Sequence, residues 1–191
     1  MLEKQKQKNS CLWLSEMPQM SGNDVLEILE ILNQAGVDVW IDGGWGVDAL
    51  VTQQTREHED LDLVIPLNKV DEIQEVLGKI GFSVFADELP TRLVMQDSKN
   101  RQIDFHTVTF DQTGGGLQKL QNGRSYRYPL EGFNGIGFIN AQPVKCVTPE
   151  VQAECHYGYQ PDNNDKHDMK LLHEHFGIKL IKPYTDSDFS R

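Results

Sequence analysis

Two aspartates carry the strongest chemical signal in this sequence: Asp60 and Asp62, in the run Arg56-Glu-His-Glu-Asp-Leu-Asp62. On a β-strand, residues two apart share a face, so both carboxylates point one way while Leu61, Leu63 and Ile65 turn to the core. Neighbouring carboxylates repel, and one takes up a proton unless a cation sits between them. A hard divalent ion such as Mg²⁺, which prefers oxygen ligands, resolves the conflict. The competing account is a solvated strand face that happens to be acidic, although aspartate is otherwise depleted in strands. A third acid, Asp104, stands in a second alternating run, Arg101-Gln-Ile-Asp-Phe-His106, with Ile103 and Phe105 facing inward. Where the two strands lie close in one sheet, Asp104 joins the same acidic face. Three such acids suit metal-assisted nucleotidyl transfer, in which two ions clamp the attacking and leaving oxygens. The third acid can bridge an ion or accept the proton of an attacking hydroxyl.

A glycine turn, Asp42-Gly-Gly-Trp-Gly-Val-Asp48, lies shortly upstream. Between a strand and a helix, backbone N–H groups at Gly43 and Gly44 can face a phosphate without side-chain obstruction. A bare tight turn is the other account. The spacing matches neither the dinucleotide nor the P-loop pattern, since GxGxxG and Gly-Lys-Ser/Thr are both absent.

The elements that must position these groups are read from period and punctuation. Ser21 or Asn23 caps an amphipathic helix that Gly36 ends, and a short strand follows over residues 37–41, stopped by Gly43-Gly44. A helix over 46–53 and a strand over 60–65 come next, with Pro66 closing the strand. Asn68 then caps a helix that breaks near Gly81. Residues 82–86, 92–96 and 102–109 are β-rich. Residues 111–145 mix glycines with aromatics and suggest hairpins, with short strands over 125–130 and 136–139. Pro149 opens a helix reaching about residue 157, and a last helix spans 163–176, closed by Gly177. The order predicts a mixed α/β (α+β) domain. Its parts are an N-terminal extension over 1–20, where Trp13 and Leu14 can dock on the domain, a core over 21–110, and a hairpin-rich segment with a packed helical annex over 111–191.

The chain has 191 residues, 18 Lys+Arg against 29 Asp+Glu and a net charge of −11, with 38% hydrophobic residues. That composition fits a globular protein rather than a disordered one. Its negative field opposes non-specific nucleic-acid binding and favours a small cationic substrate. The apolar runs are too short or too charged for a membrane span, and the polar start lacks the apolar core of a signal peptide. Three widely spaced cysteines, Cys11, Cys146 and Cys155, suit neither a disulfide framework nor a zinc knuckle. A cytoplasmic protein is the expectation.

Gly-Gly-Trp-Gly-Val-Asp, Arg-x-His-x-Asp-x-Asp and the Ile-Asp-Phe-His strand together resemble the small antibiotic nucleotidyltransferases. The match is nearest to the lincosamide nucleotidyltransferases, with the aminoglycoside 2″-nucleotidyltransferases more distant. It covers residues 25–176, including Val151-Gln-Ala-Glu, Gly158-Tyr and Asp165-Lys-His-Asp168 near the end. The resemblance implies a nucleotidyltransferase (polymerase-β-like) fold, with a mixed sheet flanked by helices and a C-terminal helical annex. It implies an adenylyltransferase that moves AMP, or another NMP, from Mg-NTP to a hydroxyl of a lincosamide or aminoglycoside. Carried over, Asp60 and Asp62 bind metal, Asp104 is the third acid and general base, and Gly43-Gly44 faces the triphosphate. Trp45 departs from the serine often found after the glycine in polymerase-like members, which favours backbone contacts to phosphate.

Supporting residues keep two accounts each. Arg56 grips the leaving pyrophosphate, or pairs with Glu57 or Glu59. His58 orients a phosphate or hydrogen-bonds an acid, or is structural. Arg92 meets triphosphate or acceptor, and Lys166 pairs with phosphate or lies on a solvated helix face. Asp48 suits a helix anchor better than a metal ligand, and His106 can orient Asp104. His173 and His175 point apart on a helix, against a shared zinc site. Tyr126, Tyr128, Phe133 and Phe138 either wall an acceptor pocket or fill a small core. A protein, tRNA or metabolite acceptor, or a silent nucleotide-binding module, remains the rival reading. Monomer and homodimer both stay open.

Overall fold

Ser21 opens the first helix by capping it: its hydroxyl accepts from the Asp24 N–H while the Asp24 carboxylate receives the Ser21 N–H. The computed structural model describes residues 19–184, so the expected docking of Trp13 and Leu14 lies outside the described residues. Helix α1 (Gly22–Gln34) buries Val25, Ile28 and Leu32, and Gly36 leaves it at φ +70°. Strand β1 is Trp40–Asp42, shorter and later than the stretch predicted at 37–41. Helix α2 is Gly43–Leu50 and starts three residues before the predicted 46, because the Asp42 carboxylate accepts the Gly43 N–H and caps it there. The glycine pair is therefore the first turn of the helix.

Strand β2 (Asp60–Pro66) leads through a 3-10 turn, Leu67–Lys69, into α3 (Val70–Gly78). Asn68 lies within that turn and caps nothing; the predicted cap is displaced because the chain tightens before the helix opens. Strands β3 (Ser83–Glu88), β4 (Arg92–Gln96) and β5 (Gln102–Phe110) follow. Then come β6 (Gly116–Lys119), β7 (Ser125–Tyr128), β8 (Gly135–Ile139) and β9 (Gln142–Cys146). Helices α4 (Pro149–Cys155) and α5 (Asn163–Phe176) close the described chain, with Gly177 in the left-handed region as the C-cap.

One mixed sheet runs in the order β3-β4-β5-β2-β1-β9-β8, and β6 and β7 branch from the end of β5. Two pairings are parallel, β2 with β5 and β1 with β9. Alternation along β2 sends Leu61, Leu63 and Ile65 to a core under α1 and α3. The opposite face carries Asp60, Asp62 and Val64. Val64 joins a second core with Val108, Tyr128 and Phe133. Helices α4 and α5 pack on α2 through a third cluster of Val47, Ala153, Met169 and Leu172. Among the described residues, no helix is long and apolar enough to cross a membrane.

Candidate active site

The sheet register assembles the acids. Antiparallel pairing sets Asp42 of β1 opposite Asp62 of β2, and parallel pairing sets Asp62 beside Asp104 of β5. Three carboxylates therefore stand in one row across adjacent strands, about 4.8 Å apart in backbone spacing. His106, two residues beyond Asp104, shares the face, and its Nε2 lies 3.3 Å from Asp62 Oδ1. Oxygen and nitrogen donors of Asp62, Asp104 and His106 lie within 4.8 Å of one another. Asp60, two residues before Asp62 on the same face of β2, stands outside that set.

Crowding shows in the charges. Burial, then the Asp62 and Asp104 carboxylates, push Asp60 up to about 7. Burial also raises the Asp42 carboxyl, which His106 opposes and Asp62 reinforces. Burial disfavours a charged His106 imidazole, but the Asp62 hydrogen bond and the surrounding carboxylates outweigh it and lift it to about 9. Asp104 is held by Arg92, whose Nε lies 2.8 Å from Oδ1 and 2.7 Å from Oδ2, with Nη2 at 2.7 Å. That fork fixes the carboxylate plane.

The two glycines of the turn are required for contacts that sequence spacing did not reveal. A Cβ on Gly43, which also sits at φ +59°, would fall inside 3.0 Å of the Asp62 carboxylate. A Cβ on Gly44 would collide with the Arg56 guanidinium and lie 2.7 Å from His58 Nδ1. Asp62 and Arg56 thus press directly on the α-carbons of the turn.

The segment after α2 is pinned from both sides. Asp48 accepts the Thr55 N–H at 2.9 Å and its hydroxyl at 2.5 Å, and faces His58 Nε2 at 2.7 Å. His58 is buried against the Trp45 ring, 4.5 Å between centroids, behind the turn rather than in the cleft. Arg56 reaches neither Glu57 nor Glu59 with an ion pair. Its Nε and Nη2 donate to the Asp168 carboxylate of α5 at 3.1 and 2.8 Å, and Nη1 donates to the Glu57 carbonyl at 3.2 Å.

A cleft of about 1100 Å³ lies over the row, lined by Gly43, Gly44, Arg56, Asp60, Asp62, Arg92 and Asp104 among others. Lys166 is not part of that lining. Tyr126 and Tyr128 line it as well, with the Tyr126 hydroxyl donating to Glu154 at 2.6 Å. Tyr128 and Phe133 also fill the second core, while Phe138 is exposed on β8. Asp42, Gln118, Glu154 and His156 are cleft residues that sequence reasoning did not assign. Only Asp42 had a local signal, its place at a strand end before a glycine pair.

The family model for the aminoglycoside-2''-adenylyltransferases matches residues 24–172. The chain belongs to that family. A lincosamide resistance protein of Staphylococcus haemolyticus is 28% identical over 158 residues, spanning 80% of this chain and 98% of that one. Among solved structures, the lincosamide antibiotic adenylyltransferase LnuA with lincomycin bound superposes with TM-score 0.73 at 26% identity, covering 81% and 97% of the two chains. ANT(2'')-Ia in complex with adenylyl-2''-tobramycin shares the fold, with TM-score 0.65, 19% identity and 80% and 87% coverage. The domain has the nucleotidyltransferase fold and the protein is a nucleotidyltransferase of the antibiotic-modifying kind.

Proposed function

We propose that the protein transfers AMP from ATP to a hydroxyl of a lincosamide or aminoglycoside, with Asp60, Asp62 and Asp104 as the metal-binding and catalytic acids. The observation that carries this reading is the register that sets Asp62 beside Asp104 next to the α2 turn. The donor set fits Mg²⁺: carboxylate oxygens of Asp62 and Asp104 crowd together, and burial with these neighbouring charges drives Asp60 toward the protonated form. Asp60, Asp62 and Asp104 would hold the metal, with His106 beside them, and when bound it polarises the phosphoryl oxygens and offsets their charge.

The protein groups do the rest. The Asp104 carboxylate takes the acceptor hydroxyl proton as that oxygen bonds to the α-phosphorus, and the bond to the β-phosphate oxygen breaks. Arg92 keeps Asp104 oriented for that transfer. The α2 N-terminus with Gly43 and Gly44, together with Arg56, takes the charge of the departing pyrophosphate. In the cleft lining, carboxylates outnumber arginines eight to three. That excess, like the chain charge of −11, attracts a cationic acceptor.

The test is mass spectrometry on reactions with Mg²⁺, ATP and either lincomycin or an aminoglycoside. A product heavier by one AMP is expected, lost in Asp60→Asn and Asp62→Asn. Pyrophosphate release without a modified antibiotic would reassign the acceptor to another metabolite, and wild-type turnover in either variant would refute the metal role.

A further inference from the structure

We propose that Asp168 of α5 is a positioning residue that aims Arg56 at the phosphate end of the nucleotide. The inference rests on the nucleotidyltransferase reading above. Arg56 sits on the connection between α2 and β2, which has no regular secondary structure to hold a side chain in place. A long side chain there loses rotamer freedom only through external contacts. Asp168 supplies them. Both its oxygens engage the guanidinium, at 3.1 Å from Nε and 2.8 Å from Nη2. The two partners are unequally placed: the Asp168 side chain is 3% exposed, whereas Arg56 keeps 20% and opens on the cleft. The acid is the fixed partner and the arginine the presented one.

A second basic side chain, His156, flanks the Asp168 oxygen that accepts from Nη2. His156 Nε2 lies 3.9 Å from Oδ2, and His156 Nδ1 is 2.7 Å from the Gln152 carbonyl of α4. The Tyr184 hydroxyl donates to the His156 carbonyl at 2.9 Å. One residue earlier, His167 Nε2 meets the Thr55 hydroxyl at 2.8 Å, so α5 grips the Arg56 segment at adjacent points. A guanidinium offers five N–H donors. Two go to Asp168 and one to the Glu57 carbonyl, and the remaining two, on Nη1 and Nη2, are left for an anion. With its plane fixed over the Gly44 α-carbon, the fork stands beside the α2 N-terminus, where phosphate charge is favoured.

The experiment titrates a non-hydrolysable ATP analogue with Mg²⁺ into wild type, Asp168→Asn, Arg56→Ala and the double variant by calorimetry. Acceptor KM and melting temperature are measured beside it. Asp168→Asn should weaken analogue binding about tenfold, as expected of a misaimed group, without moving acceptor KM. The double variant should bind within about twofold of Arg56→Ala, because both changes remove one function. Wild-type affinity in Asp168→Asn, tighter binding there, or losses that multiply in the double variant would overturn the proposal. Should Asp168→Asn fail to fold, Arg56→Lys decides: it keeps a cation for the acid and loses the fork, so undiminished analogue binding would equally overturn it. A wild-type protein that does not bind the analogue overturns the nucleotidyltransferase reading itself, whereas normal wild-type binding with an unaffected Asp168→Asn overturns only this role.

Discussion

Gly43→Ala combines two effects that a second glycine separates. Gly43 holds φ +59°, and an added Cβ would enter the space of the Asp62 carboxylate. Gly36 holds φ +70° with nothing within 4 Å of an added Cβ. A left-handed alanine costs about 1–2 kcal/mol, which in a chain of this size lowers the melting temperature by roughly 2–8 °C. Both variants should show that loss, with Gly43→Ala at the upper end or beyond because of the collision. Only Gly43→Ala moves Asp62, and a displacement of about 1 Å at a reacting centre costs on the order of a hundredfold in turnover. Differential scanning calorimetry gives the first quantity, and a continuous pyrophosphate-release assay with ATP and a saturating antibiotic gives the second. Turnover of Gly43→Ala within about threefold of Gly36→Ala would refute the argument that the first glycine exists to admit the Asp62 carboxylate.

Acid unfolding should also carry the mark of Asp168. Burial pushes its carboxyl up, but His156 and Arg56 outweigh that and hold it below its ordinary 3.8. A depressed carboxyl contributes stability that is present above the unfolded value and lost as pH falls through the folded one. Wild type should therefore lose stability below about pH 4 more steeply than Asp168→Asn in paired acid titrations; parallel curves would contradict the assignment. On the other face of the sheet, Arg101 is buried and ties Asp97 at 2.8 Å to Asp24 at 2.8 Å and Glu27 at 3.0 Å on α1. Arg101→Ala strands the Asp97 side chain, 5% exposed, and should cost about 3 kcal/mol, a fall of roughly 6–12 °C in melting temperature. Its nucleotide and acceptor KM values should stay at wild type, and a shift in either would show that α1 reaches the cleft.

Helix α5 falls on the predicted residues because its cap, its period and its closing glycine all agree. Strand β4 is equally plain, an apolar run between turn residues. Strands β6 and β9 were invisible. The first is four residues of mixed polarity among glycines, and the second contains Pro143, which reads as a breaker and is tolerated opposite Phe138 of the edge strand β8. Alternation alone put Asp60 with Asp62 and Asp104 with His106. That the two pairs share a wall depends on parallel pairing of β2 with β5, a contact across some forty residues that no local pattern encodes. The partner of Arg56 was illegible for the same reason: Glu57 and Glu59 are its sequence neighbours, and the acid it uses lies 112 positions away. Burial in a third cluster on α2 decides that choice.

The order in which these parts leave the ribosome has a consequence. Once residue 104 has emerged all the acids of the row are outside, yet β1 has no partner on its other edge until β9 arrives to pair Cys146 with Ile41. Arg56 waits longer still for its partner, Asp168. A polypeptide cut short between those points keeps the acids and the glycine turn but leaves the Arg56 guanidinium without the carboxylate that holds it.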